Sequence, residues 1–265
     1  MCEITIVTPT FNRGNLLLRL YESLTKQTTK RFMWLIIDDG STDSTKSIVE
    51  KFVNERKINI KYYYKENGGK SRALNFAFSI ITESRLAIIV DSDDYLLPEA
   101  IEIVGNYIKQ YKVKDDNIGA FFFNYKTTKG QLIRPKNKFY EPILVDRYCY
   151  NKKYGKNDGC VCYFSEVFKN YKYPEHLDEN YVGPTVLQMM MAEKYKILFI
   201  PEVIGIAEYQ KDGLTNLNFS SFYPLRHGNV NISMYIGRLS FTYAPNLGFD
   251  LVNKVIIFDV IRLQD

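Results

Sequence analysis

Three carboxylates follow directly on a run of apolar residues in Leu86-Ala87-Ile88-Ile89-Val90-Asp91-Ser92-Asp93-Asp94. Acids packed this closely repel one another unless something neutralises them. Clustered aspartate oxygens are the ligands that a hard divalent cation such as Mg²⁺ or Mn²⁺ prefers. A cation carrying a diphosphate fits that chemistry. A solvated acidic turn that caps the next helix is the plainer reading of so short a motif, and the two are separated by what else converges on it.

Three other polar clusters stand out. Asp38-Asp39-Gly40-Ser41-Thr42-Asp43-Ser44 is a second acidic turn, in which Asp38 orients the loop and Asp43 is a ligand or a helix cap. Asn67-Gly68-Gly69-Lys70-Ser71-Arg72 pairs two glycines with two cations ahead of a helical pattern, which suits an anion at a helix N-terminus. Thr8-Pro9-Thr10-Phe11-Asn12-Arg13 closes a short β-branched run.

These clusters need elements to hold them. Five consecutive apolar residues at 86–90 read as a strand buried on both faces of a parallel sheet, with the carboxylates at its C-terminal edge. Ligands of open parallel sheets bind just outside that edge. Residues 4–8, 33–37 and 58–64 read as three further strands. Leu17, Leu20, Tyr21 and Leu24 recur at helical spacing, as do Thr45, Ile48, Val49 and Phe52, and then Leu74, Ala77, Phe78 and Ile81. Three strand-then-helix units before the central strand give an α/β fold, a Rossmann-like, mostly parallel sheet flanked by helices. All four polar clusters then emerge around one crevice.

Beyond Pro98, Ile101, Val104 and Ile108 continue a helix; 119–125 and 160–164 read as strands, 131–134 as a short extended run, 186–194 as a helix, and 197–200 and 203–207 as strands parted by Pro201-Glu202. Residues 136–159 are rich in Lys and Tyr with weak patterning. The clusters match neither of two common phosphate-binding designs. No G-x-G-x-x-G follows the first strand, and a P-loop ending at Gly69-Lys70-Ser71 needs a glycine where Tyr64 stands.

Across about the first 110 residues the chain resembles the inverting family 2 glycosyltransferases of GT-A fold, similar to those of bacterial polysaccharide assembly. The resemblance is carried by 6–13, 36–43, 67–75 and 91–94, and more weakly by Glu208-Tyr209-Gln210-Lys211-Asp212-Gly213-Leu214-Thr215. It implies a UDP-sugar donor, a Mn²⁺ or Mg²⁺ cofactor, and a glycan or lipid-linked glycan acceptor. Pro9, Thr10 and Asn12 would line the nucleoside pocket, and Asp39 would accept from uracil N3–H. Gly69, Lys70 and Arg72 would lie near nucleotide or phosphate. Asp91 and Ser92 would face the ribose and sugar, with Asp93, together with Asp91, holding the metal and Asp94 in support. The base that takes the acceptor proton is expected as Pro-Glu ahead of the 186–194 helix. Val182-Gly183-Pro184-Thr185 stands there instead, which moves the candidates to Glu179 and Asp178. His176 is a loop histidine, a third metal ligand or a base.

Composition bounds the rest. At 265 residues and a net charge of +5, the chain suits one large domain with an appendage: residues 1–215 as the nucleotide-sugar domain and 216–265 as a small aromatic, helical C-terminal extension for acceptor, membrane or homodimer contacts. Dispersed charge gives no expectation of nucleic-acid binding. Lys and Tyr mix at 57–65 and 136–156, a pattern that suits either a solvated surface or contact with anionic lipid at the inner membrane leaflet. No apolar stretch approaches the ~20 residues needed to span a bilayer. The first strand begins almost at once, and the four cysteines show no C-x-x-C spacing, so the expectation is a cytoplasmic protein with reduced thiols.

Overall fold

The computed structural model describes residues 3–112, 115–133, 135, 137–155, 157–175 and 182–208. The candidates Asp178, Glu179 and His176, most of the 208–215 segment and the whole of 216–265 lie outside the described residues.

The first part alternates strand and helix as its apolar periods require: β1 (Ile4–Thr10), α1 (Gly14–Thr25), β2 (Phe32–Asp38), α2 (Thr45–Glu55), β3 (Asn59–Tyr64), α3 (Lys70–Ile80) and β4 (Leu86–Ile89). The strands lie in the order β3-β2-β1-β4 and all pair in parallel, with Ile4 opposite both Phe32 and Leu86. Ile6, Val7, Trp34, Ile36, Leu86 and Ile88 are buried, each such side chain contributing roughly 1.5–3 kcal/mol by leaving water. The one polar atom of Trp34 is satisfied, Nε1 donating to Thr8 Oγ1 at 2.9 Å.

The helices cover both faces. Leu17, Leu20, Tyr21 and Leu24 of α1 pack with Val49 and Phe52 of α2 on one, where the Tyr21 and Phe52 rings stack at 4.1 Å. Ala73, Leu74, Ala77 and Phe78 of α3 cover the other. Two helices that start this close need a small residue at their contact. A Cβ on Gly14 would stand 2.8 Å from the Thr45 backbone. Asp43 ties the two starts together, taking bonds from Thr45 N, Thr45 Oγ1 and Gly14 N. It thereby satisfies the first backbone N–H of each helix.

The second part is organised differently. It comprises β5 (Tyr95–Leu96), α4 (Ala100–Tyr107) running into one π-helical turn (Ile108–Lys112), β6 (Ile118–Thr127), β7 (Ile143–Val145), α5 (Arg147–Tyr154), β8 (Gly159–Phe164), α6 (Ser165–Phe168), α7 (Thr185–Met190) with a 3-10 turn (Met191–Glu193), and β9 (Lys196–Ala207). The sheet continues β4-β8-β6-β9-β5, with β7 on β9. Strand β8 runs antiparallel to both β4 and β6, β6 and β9 are parallel, and β5 and β7 are antiparallel to β9. The α/β architecture is the expected one, but "mostly parallel" describes only its first half.

Two local readings change. Pro201-Glu202 does not divide two strands: β9 continues through it by a bulge, the register stepping from Phe123↔Ile200 to Asn124↔Val203 while Asn124 Nδ2 donates to Pro201 O at 2.9 Å. The Lys- and Tyr-rich stretch also holds real structure. Asp146 caps α5 by accepting from Cys149 N at 2.8 Å, and Gly155, at φ 83°, ends it. Tyr150 and Arg147 of this helix are buried, the Arg147 guanidinium lying 4.7 Å from the centre of the Phe122 ring. Tyr154 is buried too. No helix among the described residues is long and apolar enough to cross a membrane.

Candidate active site

Parallel strands β1, β2 and β4 end side by side, so the turns that follow them share one edge of the sheet, and hydrogen bonds join those turns. Asn12, held at φ 51°, donates its N–H to Ser41 Oγ at 2.8 Å and accepts from Thr42 N at 2.8 Å, linking the turn after β1 to the turn after β2. Asn is among the few non-glycine residues that adopt this left-handed geometry readily. Beneath it Asp38 is fully buried, receiving Ser41 N at 2.7 Å and the Tyr62 hydroxyl at 2.6 Å. Burial, followed by the bonded Asp38, pushes the Tyr62 phenol well above its ordinary value.

Asp39 organises the next connection. The residue is 3% exposed, and its carboxylate receives Lys65 Nζ at 2.6 Å, Gly68 N at 3.1 and 3.2 Å, and Gly69 N at 2.7 Å, with Asn67 Nδ2 at 3.3 Å. A carboxylate that gathers this many donors fixes the turn in front of α3. Gly40 allows the approach: it sits at φ 88°, and a Cβ there would stand 2.8 Å from Asn67 N. Pro9, Thr10 and Ser92 are buried, and Thr10 Oγ1 has no hydrogen-bond partner.

The acidic cluster stands in the middle. Asp91, Asp93 and Asp94 each offer a carboxylate oxygen, and the three atoms lie within 4.8 Å of one another. Asp91 Oδ2 is 2.5 Å from Lys70 Nζ at the start of α3, and Asp93 Oδ2 is 3.0 Å from Arg13 Nη1 just before α1. Asp94 accepts from Glu208 N at 3.3 Å, and Glu208 is ion-paired with Arg19. Burial, and then the charge of Asp91, raises the Asp93 carboxyl above its ordinary value despite Arg13. Asp94 is pushed up to about 9, by burial first and then by Asp91, Asp93 and Asp158. Three carboxyl groups thus share the site with two bonded cations, Arg13 and Lys70. An all-oxygen donor set of this kind suits Mg²⁺ or Mn²⁺.

The sequence profile of Glycosyl transferase family 2 matches residues 5–172, which span these turns and the β8 edge. The chain belongs to that family. Among its relatives, glycosyltransferase GlyA of Streptococcus pneumoniae is 30% identical over 57% of this chain and 20% of its own length. Poly(ribitol-phosphate) beta-N-acetylglucosaminyltransferase TarS of Staphylococcus aureus is 30% identical over 42% of this chain and 20% of its own. The chain thus aligns with about a fifth of each of these two relatives. The fold matches TarS 1–349 solved with UDP-GlcNAc at a TM-score of 0.69 and 21% identity, covering 96% of this chain and 70% of that one. It also matches the mannosyltransferase PcManGT of Pyrobaculum calidifontis, solved with GDP-Man and Mn²⁺, at 0.56 and 16% identity, covering 98% and 80%. The architecture of this family 2 chain is GT-A.

Within it, the structure brings together Asn12, Asp39, Gly69, Lys70, Asp91 and Asp93 through the contacts above. Arg72 is turned toward its own loop and a neighbour: Nη1 donates to Gly68 O at 2.9 Å, and Nε is 3.7 Å from Glu175 Oε2. Three participants lie outside the sequence reading. Arg13, quoted there only as part of a motif, pairs with Asp93. Lys65, read as surface, pairs with Asp39. Asp158 adds charge beside Asp94 because β8 runs antiparallel to β4, so the residue before β8 lies at the edge where β4 ends. An acid immediately before a strand signals the ligand edge only once that strand's direction is known.

Proposed function

We propose that this chain transfers a hexose or N-acetylhexosamine, with inversion, from a UDP-sugar to a glycan acceptor, in a metal-dependent reaction. The observation that carries this is the trio of carboxylates within 4.8 Å, ringed by bonded turns from three parallel strands. Family membership supports it, as do relatives named glycosyltransferases and fold neighbours solved with UDP-GlcNAc and with GDP-Man and Mn²⁺. A lipid-linked acceptor in bacterial surface polysaccharide synthesis, with residues 216–265 in peripheral contact with the inner leaflet or in a homodimer, is the setting we propose.

Asp93 and Asp91 would hold Mn²⁺ or Mg²⁺, with Asp94 tethered behind them. A bound divalent ion neutralises charge that develops on the diphosphate as it departs. The nucleoside would enter between Pro9, Thr10, Asn12 and Asp39, the Asp39 carboxylate receiving uracil N3–H beside the amides of Gly68 and Gly69. Gly69, Lys70 and Arg72 would border the phosphates, and Asp91 and Ser92 the sugar. An acceptor hydroxyl attacks the anomeric carbon opposite the leaving diphosphate, and a carboxylate from Glu179 or Asp178 takes its proton, an aid worth typically 10²–10⁴-fold.

A second reading, a non-catalytic nucleotide-sugar-binding subunit for a partner transferase, is favoured by one observation. No carboxylate stands at 182–185, where α7 begins. Metal-dependent turnover measured over UDP-, GDP- and dTDP-sugars tests both. The enzyme reading predicts turnover of a UDP-sugar, its loss in Asp93→Ala, and its loss with donor binding kept in Glu179→Gln or Asp178→Asn. Donor binding without turnover of any sugar, with or without added glycan acceptor, would select the subunit.

A further inference from the structure

The acidic cluster already carries two cations of the chain's own, and their placement has a consequence for how the proposed donor site, on which this inference rests, is filled. Lys70 Nζ is 2.5 Å from Asp91 Oδ2, and Arg13 Nη1 is 3.0 Å from Asp93 Oδ2. Lys70 is the first residue of α3 and Arg13 immediately precedes α1, so both backbones are anchored by helices of 11 and 12 residues. The side chains are long, with 32% and 28% of their surface exposed, so the heads can leave while the stems stay. Both helix N-termini favour anions close by.

A carboxylate oxygen that holds an ammonium or guanidinium cannot take a divalent ion without bringing like charges together. Whatever ion enters this cluster must first compete with Arg13 and Lys70. We infer that Arg13 and Lys70 are exchangeable counter-ions, which neutralise Asp93 and Asp91 in the empty site and pass to the diphosphate oxygens when the metal-nucleotide displaces them. Two alternatives make different demands. Permanent struts would add nothing to nucleotide affinity when lost, and simple phosphate clamps would not oppose the metal.

Exchange therefore has a signature of opposite signs. Each cation weakens metal binding to the nucleotide-free protein and strengthens nucleotide binding in the presence of metal. The coupling between metal and nucleotide is reciprocal, so both cations raise it from either side.

Binding of Mn²⁺ to the full chain, followed by the loss of the free-ion electron paramagnetic resonance signal with and without UDP, reads this out without any turnover. Removing the charge in Arg13→Gln, or independently in Lys70→Gln, is expected to tighten Mn²⁺ alone by about threefold or more and to weaken UDP in saturating Mn²⁺ by about threefold or more, the scale of partly exposed ion pairs. Arg13→Lys should keep the wild-type pattern, and Asp93→Asn in the Arg13→Gln background should remove the gain in Mn²⁺ affinity. Mn²⁺ binding that is unchanged or weaker in both Gln variants would overturn the exchange, as would UDP affinity that does not fall. A wild-type chain that binds no UDP with Mn²⁺ would overturn the donor-site reading itself. A wild type that binds both, with variants that shift neither, overturns the exchange alone.

Discussion

The two halves of this sheet solve different problems. In β3-β2-β1-β4 all strands run the same way, and their ends deliver turns of Asp, Asn, Gly and Lys to one edge, where side chains of one turn bond to the backbone of the next. In β8-β6-β9-β5 the strands run both ways, and aromatic packing dominates: Phe121 meets Phe164 at 5.0 Å and Phe123 at 6.2 Å, and Tyr150 stacks on Phe199 at 3.6 Å. Polar residues concentrate where chemistry is proposed, and large rings where the fold needs mass. Stability and donor binding should therefore separate under mutation.

The largest effect is expected in the mixed half. Phe121→Ala removes a fully buried ring and should cost about 3–5 kcal/mol of unfolding free energy, read by denaturant titration, while the molecules that remain folded keep their affinity for UDP. Asp93→Ala should do the reverse, lowering turnover by about 10²–10³-fold with an unchanged thermal midpoint, because relief of repulsion within the cluster offsets the loss of the Arg13 pair. Loss of donor affinity with Phe121→Ala, or unfolding with Asp93→Ala, would dissolve the contrast.

Asp39→Asn belongs to both sides of it. The amide cannot hold Lys65, Gly68 and Gly69 as the carboxylate does, so about 2 kcal/mol of stability and at least part of the UDP affinity should go together. The smallest effect is at the joint of α1 and α2, where Asp43→Asn should cost about 1 kcal/mol at neutral pH. Burial pushes the Asp43 carboxyl up, but bonds from the Thr45 hydroxyl, Thr45 N–H and Gly14 N–H leave it below its ordinary value. The folded form thus binds protons less readily than the unfolded one. The difference between wild type and Asp43→Asn should be full at pH 7 and shrink on acidification below about pH 4.

The parallel half was legible because each strand is an apolar run ended by turn residues, and each helix repeats its apolar positions at 3.6-residue spacing. Leu17, Leu20, Tyr21 and Leu24 are all buried, as Leu74, Ala77 and Phe78 are. In the mixed half the strands at 119–125 and 160–164 and the helix through 101–108 were legible too, but their arrangement was not, for three physical reasons. Strand direction leaves no mark on a short aromatic run, so nothing in the sequence singles out Asp158, just before β8, as a neighbour of the acidic cluster. Tyr150, Tyr154 and Arg147 bury through ring and cation contacts that a polar-residue count scores as surface. Pro201 looked like a terminator, yet a bulge carries the strand through it.

Residues contributed by turns of the parallel half were placed together as expected. Partners the motifs do not single out, Arg13 and Lys65 from the parallel half and Glu208 after β9, appear only once the chain is folded.

In the proposed site the carboxylates that follow β4 bind a nucleoside diphosphate through a divalent ion. Calorimetric titration of UDP into the full chain, with Mn²⁺ or with a chelator, and repeated on Asp93→Asn, tests it most directly. Binding should need the ion and weaken at least about tenfold, or 1.4 kcal/mol, in the variant. Equal affinity with the chelator, or in Asp93→Asn, would contradict it.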